Sequence, residues 1–152
     1  MKVFLFLILG LSISCKSHEK AAMAANDDSS QEELTLLLSD NYGGTASAEI
    51  QVIRDTKSLL KFFAEINKTR KPGLPLPEID FNKEMVLVYC HGSTQLKTVP
   101  GLFIKAETDQ EKILGIMEVE NKMATTDSAI IVPFSLYKLP LSDKQFVLKP
   151  NE

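Results

Sequence analysis

The stretch Met85-Val86-Leu87-Val88-Tyr89-Cys90-His91 decides how this chain is read. Successive residues of a strand point to opposite faces, and here both faces are apolar, so the strand belongs in the middle of a sheet with cover on each side. Upstream, Pro72-Gly73-Leu74-Pro75-Leu76-Pro77 is an extended connector, because a residue before proline avoids the α region, and it leads into Glu78-Ile79-Asp80-Phe81. Before it, Leu59, Leu60, Phe62, Phe63 and Ile66 form an apolar face at helical spacing. Asp55 or Thr56 is placed to cap that helix. Lys68, Arg70 and Lys71 lie where the helix dipole favours cations, and Pro72-Gly73 stops it.

Further upstream, Ala46, Ala48, Ile50 and Val52 alternate with Ser47, Glu49 and Gln51, the period of a half-buried strand. Asn41-Tyr42-Gly43-Gly44 is a turn signal, preceded by a short alternating strand through Leu34, Leu36 and Leu38. Downstream, strands are expected over Leu102 to Ala106, over Ile113 to Glu120, and over Ala129 to Tyr137, with a polar turn from Asn121 to Ser128. Pro133 interrupts the last of these. Proline cannot donate to a ladder, so an edge strand or a bulge is expected there. Gln145 to Lys149 closes the series. The result is an α+β domain over residues 34–152, with about seven strands in a mostly antiparallel or mixed sheet and one main helix.

The start of the chain has a different character. Met1-Lys2 precedes an apolar run from Val3 to Leu11, too short for a membrane-spanning helix and matched to a secretory signal. Ser12-Ile13-Ser14 then leads to Cys15. Small residues before a cysteine suit a lipoprotein signal peptidase, although Ser12 stands where a leucine is usual; looser boxes of this kind are common in Bacteroidota. Residues 1–14 are therefore expected to be a signal peptide, with Cys15 carrying the lipid. Two or more acyl chains anchor stably, since each buried methylene contributes about 0.8 kcal/mol. Lys16 to Glu33 reads as a disordered tether of low apolar content. Its Asp27-Asp28 pair lacks the spacing and turn glycine of a calcium loop. The mixed charge of Lys16-Ser17-His18-Glu19-Lys20 gives no clear surface-export tag, so the expected location is the cell envelope, at the outer membrane, with its face undecided.

The formal charge is −3, and −4 once Lys2 has left, without the basic stripe that nucleic-acid binding requires. With Cys15 lipidated, Cys90 is the remaining cysteine and no internal disulfide is expected. Catalytic groups are sparse. His18 lies in the tether, and Cys90 and His91 are strand neighbours that point apart. Glu118 and Glu120 share a strand face at roughly 7 Å, as the residues of any solvated face do. One usable histidine and one thiol make no zinc site. Gly43-Gly44 lacks the context of a phosphate loop. No catalytic residue, metal or cofactor is expected.

Taken in order, several elements resemble the C-terminal domain of the protease complex subunit PrcB family. They are Ile50–Asp55 (I-Q-V-I-R-D) leading into L-L-K-F-F, the connector ending Pro77–Phe81 (P-E-I-D-F), the strand Met85–Gly92 (M-V-L-V-Y-C-H-G), and Val132–Pro140 (V-P-F-S-L-Y-K-L-P). Asn41–Gly44 resembles the lead-in of such lipoproteins. The family's glycine-rich turn after the central strand is replaced here by Ser93–Leu102, which keeps Gly101 after Pro100. The resemblance implies a non-enzymatic accessory that assembles with a secreted protease at the envelope. The expected protein-contact residues are Ser93, Thr94, Gln95, Leu96, Pro100 and Gly101, together with the Pro133 edge, where a partner adds a strand. A protease inhibitor that inserts Leu74–Pro77 into an active site is a second reading, and an envelope enzyme using Cys90 or the Glu118/Glu120 pair is a third.

Overall fold

In the computed structural model, residues 34–95, 99–118 and 129–149 are described. They form β1 (Thr35–Asp40), β2 (Ala48–Ile53), α1 (Thr56–Ile66), β3 (Glu84–His91), β4 (Leu102–Glu107), β5 (Glu111–Ile116), β6 (Phe134–Pro140) and β7 (Gln145–Leu148). The architecture is α+β and mostly sheet. The strands divide between two sheets, a four-stranded antiparallel sheet in the order β1-β6-β3-β2 and a three-stranded sheet in the order β4-β5-β7. In the second sheet β5 and β7 run parallel.

β3 explains the layering. Val86, Val88 and Cys90 face one way and pack with Leu59, Phe63 and Ile66 of α1, with Ile53, and with Phe134 and Leu136 of β6. Met85, Leu87 and Tyr89 face the other way and pack with Leu102, Leu114, Tyr137 and Leu139. The first sheet therefore lies between the helix and the second sheet. β3 is apolar on both faces because neither touches water, and Met85 through Val88 have no exposure at all. The Tyr137 hydroxyl ties the two sheets, accepting the Leu102 amide at 2.9 Å in a buried position.

β6 corrects the expectation of an edge. It begins at Phe134, after the proline, and is paired on both sides, with β1 and with β3. Pro133 is fully buried at the strand's entrance. A proline there needs no ladder donor, and its carbonyl accepts the His91 amide at 3.0 Å.

Asp55 is the helix cap. Its side chain accepts the Ser58 amide at 2.8 Å and the Ser58 hydroxyl at 2.7 Å. The helix ends at Ile66, with Asn67 as C-cap, so Lys68, Arg70 and Lys71 lie beyond its last turn. Asn67 stops it by turning its side chain on the connector, donating to the Leu74 carbonyl at 3.0 Å and accepting the Leu74 amide at 2.7 Å. Arg70 reaches back instead of serving the dipole from within the helix. Its Nε donates to the Ile66 carbonyl at 3.0 Å, and its two terminal nitrogens hold Asp40 at 3.0 and 2.6 Å. The same guanidinium donates to the Tyr42 carbonyl. One arginine thus joins the end of α1, the end of β1 and the turn that follows.

That turn, Asn41–Gly44, lies against the entrance of β6. The Gly44 amide donates to the Val132 carbonyl at 2.9 Å. A Cβ at Gly44 would stand 2.5 Å from the Pro133 carbonyl oxygen, a backbone atom unable to yield. Gly44→Ala is therefore expected to destabilise the fold by about 2–3 kcal/mol, as an overpacked core site does. Arg70→Lys, which loses the two-pronged grip on Asp40, should cost about 1–2 kcal/mol. Urea unfolding midpoints measure both, and a Gly44→Ala midpoint equal to that of the parent chain would refute the close approach.

Candidate functional site

The expected contact segment starts where β3 ends. Gly92 has φ of +81°, a conformation open to glycine, which turns the chain out of the strand. The Ser93 amide then donates to the Ala46 carbonyl at 3.0 Å, and Thr94 and Ile131 exchange amide-to-carbonyl bonds of 2.9 Å each. Ser93 and Gln95 are exposed and Thr94 is half-buried. Leu96 lies outside the described residues. Pro100 and Gly101, both half-buried, enter the second sheet, where the Gly101 carbonyl accepts the Met117 amide at 2.8 Å. Ser93 to Gln95 thus sit at the same end of the first sheet as Pro133, but Pro133 has no surface to offer. The free edges of that sheet are the outer sides of β1 and β2. Cys15 also lies outside the described residues.

Cys90 and His91 do point apart. Cys90 packs under the helix, whereas the His91 ring lies on the opposite face with its centre 4.1 Å from that of Tyr89. His91 Nε2 is 3.1 Å from the Ser135 hydroxyl, which is 3.2 Å from the Ser39 hydroxyl. This Ser39–Ser135–His91 line joins β1, β6 and β3, and no motif in the sequence signals it. It does not make a nucleophile. Ser135 is 3% exposed, and among the described residues the buried His91 Nδ1 has no hydrogen-bond partner and no acid orients the imidazole as a catalytic triad requires. The line can hold a neutral imidazole and satisfy two hydroxyls. Burial pushes the His91 pKa from 6.5 down to about 4.

The carboxylate pair expected on one strand face is not built as read. β5 ends at Ile116 because its partner β4 starts at Leu102, leaving Glu118 without a rung opposite. Glu120 lies outside the described residues. Among the described residues no three His, Cys, Asp or Glu side chains gather as a metal site. At the far end of the first sheet, an open cleft of about 410 Å³ is lined by Thr35, Lys83, Glu84, Lys138, Leu139 and Pro140. Glu84 and Lys138 pair within it at 2.7 Å, so its central charges answer each other. Sequence reasoning also missed Lys112, fully buried on β5 with its Nζ 3.6 Å from Glu107. Burial and the neighbouring Lys144 charge push its pKa down.

No family model, curated protein or solved structure matches this chain. Among the described residues no helix is long and apolar enough to cross a membrane.

The buried imidazole sets a pH dependence with a definite sign. Unfolded, the His91 ring takes up a proton near its ordinary 6.5, and folded only near about 4. Stability from this group is therefore complete above that upper value, declines as pH falls through the interval, and levels off below it. Partial solvent access limits the loss to about 1–2 kcal/mol. Asp40 acts lower. Burial opposes its ionisation, but the Arg70 hydrogen bonds, the Tyr42 amide and the Arg70 charge outweigh that and hold its pKa below 3.8. Its contribution is lost only as pH falls beneath that value. Denaturation curves across this range should show the upper decline in the parent chain and not in His91→Gln; an unchanged decline in the variant would place its source elsewhere.

Proposed function

We propose that this chain is a non-enzymatic, lipid-anchored envelope protein that serves as an accessory or assembly subunit of a secreted protease complex. The observation that carries the anchoring is Cys15, placed directly after an apolar run and three small or apolar residues. Support for the partner is the ordered resemblance to the PrcB family over Ile50 to Pro140, a reading the shielded Ser135 and Cys90 are compatible with. The contact zone we favour is Ser93 to Gln95, which is accessible and pinned to the body at Ala46 and Ile131. A pinned, exposed segment loses little ordering entropy when it binds.

A lipid-anchored accessory makes two measurable demands. Cys15→Ala should move the protein from the membrane to the soluble envelope fraction; persistence in the membrane would remove the anchor. Cross-linking in intact envelopes from a Ser93 or Gln95 probe, followed by mass spectrometry, should recover a secreted protease, and repeated recovery of no protein would remove the accessory role.

One observation favours the inhibitor reading as an alternative. The connector is clamped at Leu74 by Asn67, while Leu76 beyond it is 45% exposed. A rigid loop presenting an apolar residue is the form a protease cleft accepts. Inhibition of envelope proteases at micromolar protein, abolished by Leu76→Asp, is the result this alternative requires.

A further inference from the structure

The four outer strands of the two sheets are not equally guarded. β1 carries a register shift between Leu36 and Leu38, and β4 carries one between Ile104 and Ala106. Such bulges disrupt the row of backbone groups that another strand would need. β7 is four residues long. β2 pairs with β3 in unbroken register from Ala48 to Ile53 and contains no proline and no lysine. Glu49 is its one charged residue.

The direction of its free groups follows from the neighbouring ladder. The His91 amide bonds the Pro133 carbonyl and the Leu141 amide bonds the Lys83 carbonyl, so odd-numbered residues of β3 turn their backbone groups toward β6. Even-numbered residues then turn toward β2, and opposite Val86, Val88 and Cys90 stand Ile53, Gln51 and Glu49. This leaves the amides and carbonyls of Ala48, Ile50 and Val52 pointing out of the sheet. Their side chains face the layer between the sheets, where Ile50 and Val52 pack against the core but remain half-covered. Glu49 and Gln51 stand exposed on the other face.

We propose that the β2 edge pairs with β2 of a second copy of this chain, antiparallel about a two-fold axis at Ile50. The strand is self-complementary in that register. Outward groups of Ala48 meet those of Val52 of the other copy, Ile50 meets Ile50, and about six backbone bonds close between the chains. On the half-covered face small Ala48 stands opposite larger Val52, and two isoleucines complete the apolar layer. On the exposed face each Glu49 lies opposite a Gln51 amide, so the single charge finds a donor and no like charge. The first sheets join into one continuous sheet across the pair. The proposal does not depend on the protease reading, because it uses only this chain's own edge.

An edge pairing of this size is weak in solution, with a dissociation constant of about 10 μM to 1 mM, and is favoured where anchors concentrate copies on one surface. Sedimentation of the full-length chain in mild detergent over that range should show a monomer–dimer equilibrium. Gln51→Lys places a cation opposite Glu49 of the other copy and should tighten it by about tenfold at low salt, while Gln51→Glu opposes like charges and should weaken it by a similar factor. Both changes are on an exposed side chain, and unaltered thermal melting confirms that the fold is kept. Ala48→Pro, which removes an outward amide from an exposed position, should abolish the dimer. Mixing a Glu49→Cys chain with a Gln51→Cys chain should give a mass-mapped 49–51 disulfide that neither chain forms alone. A chain monomeric throughout, charge variants without effect, or a cross-link in another register overturns the proposal. So does capture of a different protein by the Glu49→Cys probe in envelopes with no capture of a second copy, which would assign the edge to a partner's strand.

Discussion

The described fold is arranged around one strand whose middle, Met85 to Cys90, is closed to water. β3 presents Val86, Val88 and Cys90 to the helix and Met85, Leu87 and Tyr89 to the second sheet. A strand of that composition is stable only if both faces are covered. The helix supplies one cover through Leu59, Phe63 and Ile66. The second sheet supplies the other, and the buried bond from the Leu102 amide to Tyr137 fixes where that sheet begins. The two covers differ in how they are held. The helix is tethered at both ends by side chains, through Asp55 at its start and through Asn67 and Arg70 after its close. The second sheet has its buried tie at the junction where the chain enters it.

The corner built by Arg70 shows how local sequence and distant contacts combine. Asp40 ends β1, Tyr42 sits in the following turn and Ile66 ends the helix, and one guanidinium bonds all three. Because Gly43 and Gly44 carry no Cβ, the turn can settle between Ile66, Phe134 and the Pro133 carbonyl. The Asn-Tyr-Gly-Gly run is thus more than a loop signal. It brings β1 down beside β6, and with β1 in place β6 becomes an interior strand.

That relation also explains what the sequence did and did not disclose. β3, the cap at Asp55 and the alternation of β2 depend on near neighbours and on period, and each was readable. The place of Pro133 was not, because whether a proline sits at an edge or at an entrance depends on a segment some ninety residues earlier folding across it. The division into two sheets depends likewise on long-range pairing, most of all the parallel contact of β5 with β7. Helical spacing marks Lys68, Arg70 and Lys71 only as charges near a helix end. That reading misses Arg70, whose partner Asp40 is 30 residues away. The Ser39–Ser135–His91 line had no signal at all, since its members stand on three strands and Ser135 is flanked by Phe134 and Leu136.

The same central burial has opposite consequences at the two ends of a rung. At the centre, β3 holds a histidine at its margin, where apolar packing and a serine hydroxyl favour the neutral ring and leave Nδ1 unanswered. Burial therefore favours the neutral ring and pushes its pKa from 6.5 down to about 4. At the periphery, β2 must bond β3 through Glu49, Gln51 and Ile53, and the alternation of the ladder then obliges Ala48, Ile50 and Val52 to face outward. Among the described residues that edge carries no bulge, proline or lysine of the kind that discourages strand pairing. Among the described residues, an edge left regular beside a half-covered apolar row is a surface able to bond through both its backbone and its side chains. The His91 line is thus shielded near the middle of the sheet, while the β2 edge keeps a regular row of outward backbone groups at its rim.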